Sequence, residues 1–453
     1  MPKAKTVFVC QNCGAESPKW IGRCPSCKEW NTFHEEIITP VSSREASYAK
    51  DLAKRVPVLL DDVKADEKNR FKTGLNELDR ILGGGIVSGS LILLGGEPGV
   101  GKSTLALQLA LILKQSKILY VSGEESEEQI SLRAQRLNNS NPQCYILGET
   151  ELENIISHAE NMKPGLIIID SIQTVSTGML ESPAGSVSQV RECAGQLLKY
   201  SKITGTPVFL IGHITKDGTL AGPKVLEHIV DVVLYFEGDS NYVYRILRSA
   251  KNRFGSTSEL GIFEMTETGL KEVNNPSELF INQHEESLSG ISIAATVDGL
   301  RPFLIETQAL VSSAVYGTPQ RSSTGFDIRR LNMLLAVLEK RAGFRLGIKD
   351  VFLNIAGGIK VNDPAIDLAV ISSVLSSNLD IPISREICFS GEVGLSGEIR
   401  PVSRIEQRVR EASKMGFKKI CLSKFHKWIP VKGTEIEIVR VGKIEHLVRS
   451  LFG

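Results

Sequence analysis

Between residues 71 and 275, short apolar runs alternate with helical patterns. The runs at 91–94, 118–122, 166–170, 208–213 and 230–236 are strand-length and almost continuously apolar, as expected of strands buried on both faces. Residues 104–110 carry a helix-like pattern directly after the first of them. Such alternation predicts a mostly parallel sheet covered by helices, with 242–248 and 259–265 as a terminal hairpin pair. The texture changes near Leu288. Residues 291–297, 303–311 and 351–355 read as strands and 328–341, 364–378 and 405–415 as helices, so 288–453 is predicted to be a separate α+β domain. At the other end, residues 1–33 form a small cysteine module. Residues 34–70 are rich in charge, hold Pro40, Ser42, Ser43 and Pro57 and show no sustained periodicity. They read as a linker with one short helix near 46–55.

Composition narrows the classes. A length of 453 residues suits about three domains, and 42% apolar residues let each bury a core. A formal charge of +1 gives no global field to hold nucleic acid, so a polyanion would have to meet a local basic surface such as a channel wall. Met1, Pro2, Lys3, Ala4 and Lys5 lead into no apolar signal region, and no segment offers the ~18 apolar residues of a membrane span. The expectation is a cytoplasmic protein with no membrane partner. Cys144, Cys193, Cys388 and Cys421 are scattered among apolar neighbours, as core thiols in a reducing compartment would be.

The chemistry concentrates where the first apolar run ends. Gly96, Glu97, Pro98, Gly99, Val100, Gly101, Lys102 and Ser103 form G-x-x-x-x-G-K-S, a loop whose backbone N–H groups cradle phosphates. Lys102 brings a point charge to the β/γ oxygens, and Ser103 can hold the magnesium that the phosphates also ligate. A helix opening at Lys102 and running through Thr104 aims its positive end at the same anion. This strand–loop–helix context predicts binding of a nucleoside triphosphate. The run 166–170 ends in Asp170, a carboxylate suited to orienting the magnesium shell. Glu124 and Glu125 follow the run 118–122, which is expected to neighbour the phosphate-loop strand. A carboxylate there can align or deprotonate the attacking water. Glu124 is preferred and Glu125 is the alternate, while two solvated acids at a helix start remain an open reading.

Cys10 and Cys13, then Cys24 and Cys27, are two C-x-x-C knuckles ten residues apart. Four thiolates in that spacing predict a closed tetrahedral Zn2+ site, with the metal supplying much of the folding energy of so short a module. Trp20, Ile21 and Trp30 are expected to pack over it. Lys19, Arg23 and Lys28 suit phosphate contacts, a protein partner or a solvated rim equally.

Residues 73–85, Thr-Gly-Leu-Asn-Glu-Leu-Asp-Arg-Ile-Leu-Gly-Gly-Gly, running into the phosphate loop, resemble the RecA/KaiC superfamily of recombinases and ring ATPases. The resemblance reaches His213, where that superfamily places a polar residue that senses the γ-phosphate; by residue type alone a buried or capping histidine fits as well. It also implies trans-acting cations as a Lys-x-Arg pair, matched by Lys251 and Arg253. On an extended strand these share one face, aimed at a neighbouring subunit's nucleotide. The longer motif Lys251, Asn252, Arg253, Phe254 and Gly255, together with the N-terminal cysteines, resembles a family of bacterial DNA repair ATPases.

That resemblance implies an α/β fold with a RecA-like ATPase core, a zinc-ribbon-like N-terminal module and a C-terminal Lon-protease-like domain. It further implies ATP and Mg2+ as cofactors, action on single-stranded and branched DNA in recombination, work beside the RecA recombinase, and a homo-oligomeric ring, expected to be a hexamer. Two loops, 174–188 and 214–224, would face its channel, with Lys216 and Lys224 as DNA-binding candidates. Residues 357–367 and 391–402 resemble the catalytic segments of the Lon protease domain. Ala365 stands at the nucleophile's place and Glu406 at that of the lysine base, so no acyl-enzyme can form. The competing classes are a nucleic-acid motor and a KaiC-like regulatory ATPase with protein partners.

Overall fold

The computed structural model describes residues 5–10, 14–38, 59, 70–213, 223–238, 243–281, 288–314, 318–427, 433 and 435–453. They fall into two compact units, Met1–Glu272 and Val273–Gly453. The expected helix near 46–55 lies outside the described residues.

The first unit opens with β1 (Lys5–Cys10), β2 (Glu16–Ser17) and β3 (Phe33–Ile38), an antiparallel sheet in the order β2-β1-β3. A two-stranded ribbon, β4 (Arg70–Phe71) with β5 (Ile86–Val87), brackets helix α1 (Asn76–Ile81). The main sheet follows. Its parallel part contains β6 (Leu91–Gly96), β7 (Ile118–Ser122), β8 (Cys144–Gly148), β9 (Leu166–Asp170), β10 (Val208–His213) and β11 (Val232–Glu237). Strands β12 (Tyr244–Asn252), β13 (Leu260–Thr266) and β14 (Gly269–Glu272) extend it antiparallel, so the expected hairpin pair is a three-stranded extension whose first strand runs through Lys251.

The order is β14-β13-β12-β11-β6-β10-β9-β7-β8. One expectation fails here. Strand β7, which carries Glu124 at its end, does not adjoin the phosphate-loop strand; β10 and β9 lie between them. Adjacency in a parallel sheet is set by which crossover spans which strands, and apolar runs do not encode it.

Alternation along β6 shows how the layers form. Ile92 and Leu94 join a core containing Leu105 and Leu109 of α2 (Lys102–Ile112). Leu91 and Leu93 join the opposite core, with Ile155 of α4 (Leu152–Met162) and Val190 and Leu197 of α5 (Val187–Thr204). Between them in the chain, α3 (Glu127–Arg136) starts at a capping box made by Ser126 and Gln129. The short α6 (Pro223–Leu226) precedes β11.

The second unit begins with α7 (Pro276–Phe280), β15 (Ile291–Asp298), β16 (Arg301–Ser313), β17 (Arg321–Thr324), α8 (Ile328–Ala342) and β18 (Lys349–Ile355). It continues with α9 (Asp367–Leu379), β19 (Ile387–Ser390), a ribbon of β20 (Glu392–Val393) and β21 (Ile399–Arg400), α10 (Ile405–Lys414), β22 (Lys419–Ser423), β23 (Glu437–Val441) and α11 (Ile444–Phe452). Seven strands form one sheet, β17-β18-β16-β15-β19-β22-β23.

Two ion pairs occupy the interior of this unit. Arg330 grips Asp367, which is fully buried, and Arg408, only 1% exposed, donates to Asp363 Oδ2 at 2.7 Å and to the Ala295 carbonyl at 2.8 Å. Removing one partner of a buried pair strands the other, at a cost of about 3 kcal/mol or more. Arg408→Met is therefore expected to lower the stability of Val273–Gly453 by about 3 kcal/mol, read in denaturant unfolding, while nucleotide binding by the first unit is retained.

Candidate active site

The phosphate loop joins β6 to α2, and Gly101 adopts φ 110° at the helix N-cap, a conformation open to glycine. Lys102 is buried at 3% exposure. Its Nζ donates to the carbonyls of Gly96 at 2.9 Å and Glu97 at 3.0 Å. Burial lowers its pKa to about 8 despite the opposing pull of Asp170 and Glu124. The lysine is thus held inside its own loop, on acceptors that are easily exchanged for phosphate oxygens.

Register brings the polar residues to one edge of the sheet. Ser122 pairs with Asp170, and His213 with Gly96, all at the carboxyl ends of parallel strands. Asp170 is buried. Its Oδ2 accepts from Tyr120 Oη at 2.7 Å, whereas its Oδ1 has no hydrogen-bond partner. An unpaired buried carboxylate oxygen is costly unless a cation or its water shell meets it, and this site fits a magnesium shell. Glu124 Oε1 accepts from the Ser171 hydroxyl and lies 3.2 Å from His213 Nε2. The His213 contact, aided by Ser171 and Lys102 and opposed by burial, lowers the Glu124 pKa to about 2. Glu125 instead pairs with Arg133 of α3. The first acid faces the phosphate loop's neighbours and the second is tied to a helix.

Lys251 and Arg253 lie at the other edge. Asn252 pairs with Val232, and the Asp231 N–H donates to Leu91 O, at the amino end of β6. The span from Leu91 to Gly96 is roughly 16 Å at the usual rise of about 3.3 Å per residue. Lys251 Nζ donates to the carbonyls of Glu227 at 2.6 Å and Val230 at 2.8 Å, while Arg253 Nη1 lies 3.3 Å from Asp231 Oδ1. The rest of the motif anchors them. Asn252 Nδ2 donates to Ile81 O at 3.0 Å, and Gly255 passes so close to Gly83 that an added Cβ would sit 3.0 Å from its Cα. The triple glycine 83–85 and the pentapeptide are therefore packing partners.

In the cysteine module Cys10, Cys24 and Cys27 bring their Sγ atoms within 4.8 Å of one another, and Cys10 and Cys27 are 3.7 Å apart. A tetrahedron with Zn–S of about 2.3 Å has edges of about 3.8 Å, so the thiols fit zinc. Both knuckles are built alike: Gly14 N donates to Cys10 O and Lys28 N to Cys24 O. Cys13 lies outside the described residues. Of the three residues expected over the thiols, Ile21 packs there, while Trp20 and Trp30 are 53% and 66% exposed; Phe33 joins that core because β3 pairs with β1 and sets it opposite Cys10. Lys216 lies outside the described residues, as does the side chain of Lys224.

In the second unit Ala365 is fully buried. Glu406 pairs along its own helix with Arg410, and it is Arg408 of that helix that reaches Asp363 beside Ala365.

Comparison with known proteins then decides the family. The chain is 49% identical to the DNA repair protein RadA of Bacillus subtilis over 100% of both chains. The chain belongs to the RadA family of DNA repair proteins. The RadA of Listeria monocytogenes is 50% identical over 94% of this chain and 93% of its own, and that of Streptococcus pyogenes serotype M6 is 46% identical over 100% of both. Family models match in three places: an AAA domain over residues 56–219, a rubredoxin metal binding domain over 8–35, and subunit ChlI of Mg-chelatase over 312–425. A solved KaiC-like protein from Pyrococcus horikoshii aligns at a TM-score of 0.38 and 20% identity, covering 45% of this chain and 98% of its own. This RadA-family chain thus combines a RecA-like phosphate-loop ATPase core, a zinc ribbon and a C-terminal Lon-like domain, with ATP, Mg2+ and Zn2+ as cofactors. Among the described residues no helix is long and apolar enough to cross a membrane.

Four contributors escaped the sequence reading of this RadA-family site: Tyr120, Ser171, Arg245 and Asp231. Arg245 is 6% exposed and donates from Nε to Val100 O in the phosphate loop at 3.1 Å. Its strand, Tyr244–Asn252, carries three cations, so residue type alone does not single it out.

Two outcomes are expected. Freshly prepared protein should carry about one zinc per chain by elemental analysis, and Cys24→Ser should lose it while nucleotide binding persists. Phosphate contact should raise the Lys102 pKa above its free value of about 8. Affinity for ATP is then full below that value and declines as pH rises through it. Titration calorimetry in two buffers at about pH 8.5 should show proton uptake on ATP binding that Lys102→Arg abolishes.

Proposed function

We propose that this chain is a DNA-stimulated ATPase that works as a ring on single-stranded and branched DNA in recombinational repair, beside the RecA recombinase. One observation carries the ring: the acidic and phosphate-loop residues lie at the carboxyl edge of the sheet, and Lys251 and Arg253 about 16 Å away at the other. Cations so placed can serve a nucleotide only if it belongs to a neighbouring subunit. The names of full-length relatives support the DNA repair setting.

In this reading residues 96–104 hold the triphosphate, with Lys102 moving from the Gly96 and Glu97 carbonyls to the β/γ oxygens. Ser103 and Asp170 orient the magnesium shell. Glu124, ionised at neutral pH, aligns the attacking water and accepts its proton as the water oxygen bonds to the γ-phosphorus and the bond to the β–γ bridging oxygen breaks, releasing ADP and phosphate. The Glu125–Arg133 pair supports that choice between the two acids. His213, in contact with Glu124, links the γ-phosphate to that carboxylate. Lys251 and Arg253 neutralise charge on the transferring phosphoryl group from the adjacent chain. The loops 174–188 and 214–224 face the channel and meet DNA phosphates through Lys216 and Lys224. The zinc module offers Lys19, Arg23 and Lys28 to DNA or to a protein. A KaiC-like regulatory role is not favoured, since the full-length relatives are DNA repair proteins.

ATP turnover measured with and without single-stranded DNA tests the proposal: stimulation is expected, and an unchanged rate would oppose it. Glu124→Gln should cut turnover by roughly 10²-fold or more with ATP binding retained. Lys216→Ala should weaken DNA binding and flatten its salt dependence.

A further inference from the structure

At the amino edge the Asp231 carboxylate touches both the phosphate-loop strand and the cationic motif. It is 1% exposed. Oδ2 accepts from the Leu91 N–H at 3.1 Å and from Lys202 Nζ at 2.7 Å, and Oδ1 faces Arg253 Nη1 at 3.3 Å. Its backbone takes part as well: its N–H donates to Leu91 O, and its carbonyl accepts from the Arg253 N–H at 3.2 Å. Arg253 remains 54% exposed, so one N–H is held while much of the guanidinium fork faces solvent. Lys202, on α5, also lies 5.9 Å above the Phe254 ring, and Lys251 is fixed on the two carbonyls just before Asp231.

Two cations, Lys202 and Arg253, therefore share a single buried carboxylate, with Lys251 held on backbone carbonyls nearby. Without it, Lys202 and Arg253 would repel each other, and a long flexible side chain more than half exposed would sample many rotamers. The carboxylate removes the repulsion and restricts the fork to one direction, which is what a group acting across an interface requires.

We propose that Asp231 is a positioning residue for hydrolysis, orienting Arg253 toward the nucleotide of the neighbouring chain. The inference rests on the trans-acting reading above and assigns it a mechanical basis. It also ties the two edges of one strand together, since the residue that begins β6 is hydrogen-bonded to the same carboxylate that holds the finger.

The test is a subunit-mixing experiment with full-length protein. Asp231→Asn keeps an acceptor for the Leu91 N–H but removes the charge. It is expected to lower kcat at least tenfold with KM for ATP and nucleotide binding changed less than twofold. When mixed into rings with Lys102→Ala chains, which cannot turn over but carry an intact Asp231 and Arg253, it should regain turnover. A general folding fault in the Asp231→Asn chain would damage its own phosphate loop and could not be rescued this way. Arg253→Ala is run alongside. If Arg253→Ala is not rescued, the trans-acting reading itself fails; if it is rescued and Asp231→Asn is not, the positioning role is overturned. Full activity of Asp231→Asn alone would also overturn it. Should Asp231→Asn not assemble, Asp231→Glu, which keeps the charge but shifts it by one methylene, serves the same test with the same two outcomes.

Discussion

Parallel register in the main sheet governs where the charged groups of the candidate site lie. Strands β11, β6, β10, β9 and β7 run the same way. Their carboxyl ends therefore deliver Gly96, Ser122, Asp170 and His213 to one edge, and the helix dipole of α2 starts at that edge. This is where ligands bind in open parallel sheets. The antiparallel turn into β12 reverses the chain and sends Lys251 and Arg253 to the opposite edge. The separation of the motif from the phosphate loop is a consequence of strand polarity, and under the proposed ring it is what would divide the site between two chains.

Burial acts in opposite senses on Lys102 and Glu124, disfavouring the charged form of each. Lys102 loses more by desolvation than it gains from Asp170 and Glu124, so its pKa drops. Glu124 also feels burial, but its contacts with His213 and Ser171 outweigh it, and its pKa drops too. Near neutral pH both are charged before nucleotide arrives: the lysine is parked on carbonyls and the glutamate is aimed by two hydrogen-bonding groups. Asp170 completes the arrangement with one oxygen fixed by Tyr120 and one left for a cation's shell. In the proposed mechanism Lys102 exchanges two carbonyls for phosphate oxygens while Glu124 and Asp170 keep their partners, so the acidic groups are preorganised. The second unit shows the reverse case. There Asp363 and Asp367 are consumed by Arg408 and Arg330, and Ala365, where the Lon resemblance places a nucleophile, is fully buried.

Much of this was legible in the chain. Local signals carried the phosphate loop, the strand ending in Asp170 and the cysteine knuckles, because each depends on residues a few positions apart. What needed long-range pairing was not legible. The separation of β7 from β6 by two intervening strands follows from crossovers that no apolar run encodes, and Phe33 reaches the thiols through the pairing of β3 with β1. Tyr120 reads as another core aromatic within Ile118–Ser122 until Asp170 is placed beside it. Asp231 sat in plain view inside the apolar run 230–236, and an unexplained acid in a buried strand was the available signal.

The central claim is that hydrolysis requires two chains. The most direct measurement is ATP turnover per chain across a dilution series, with the assembly mass followed at each concentration. Turnover per chain is expected to collapse as assemblies dissociate to single chains, while nucleotide binding to the phosphate loop persists. Single chains that hydrolyse ATP at the rate of the assembled protein would contradict that claim.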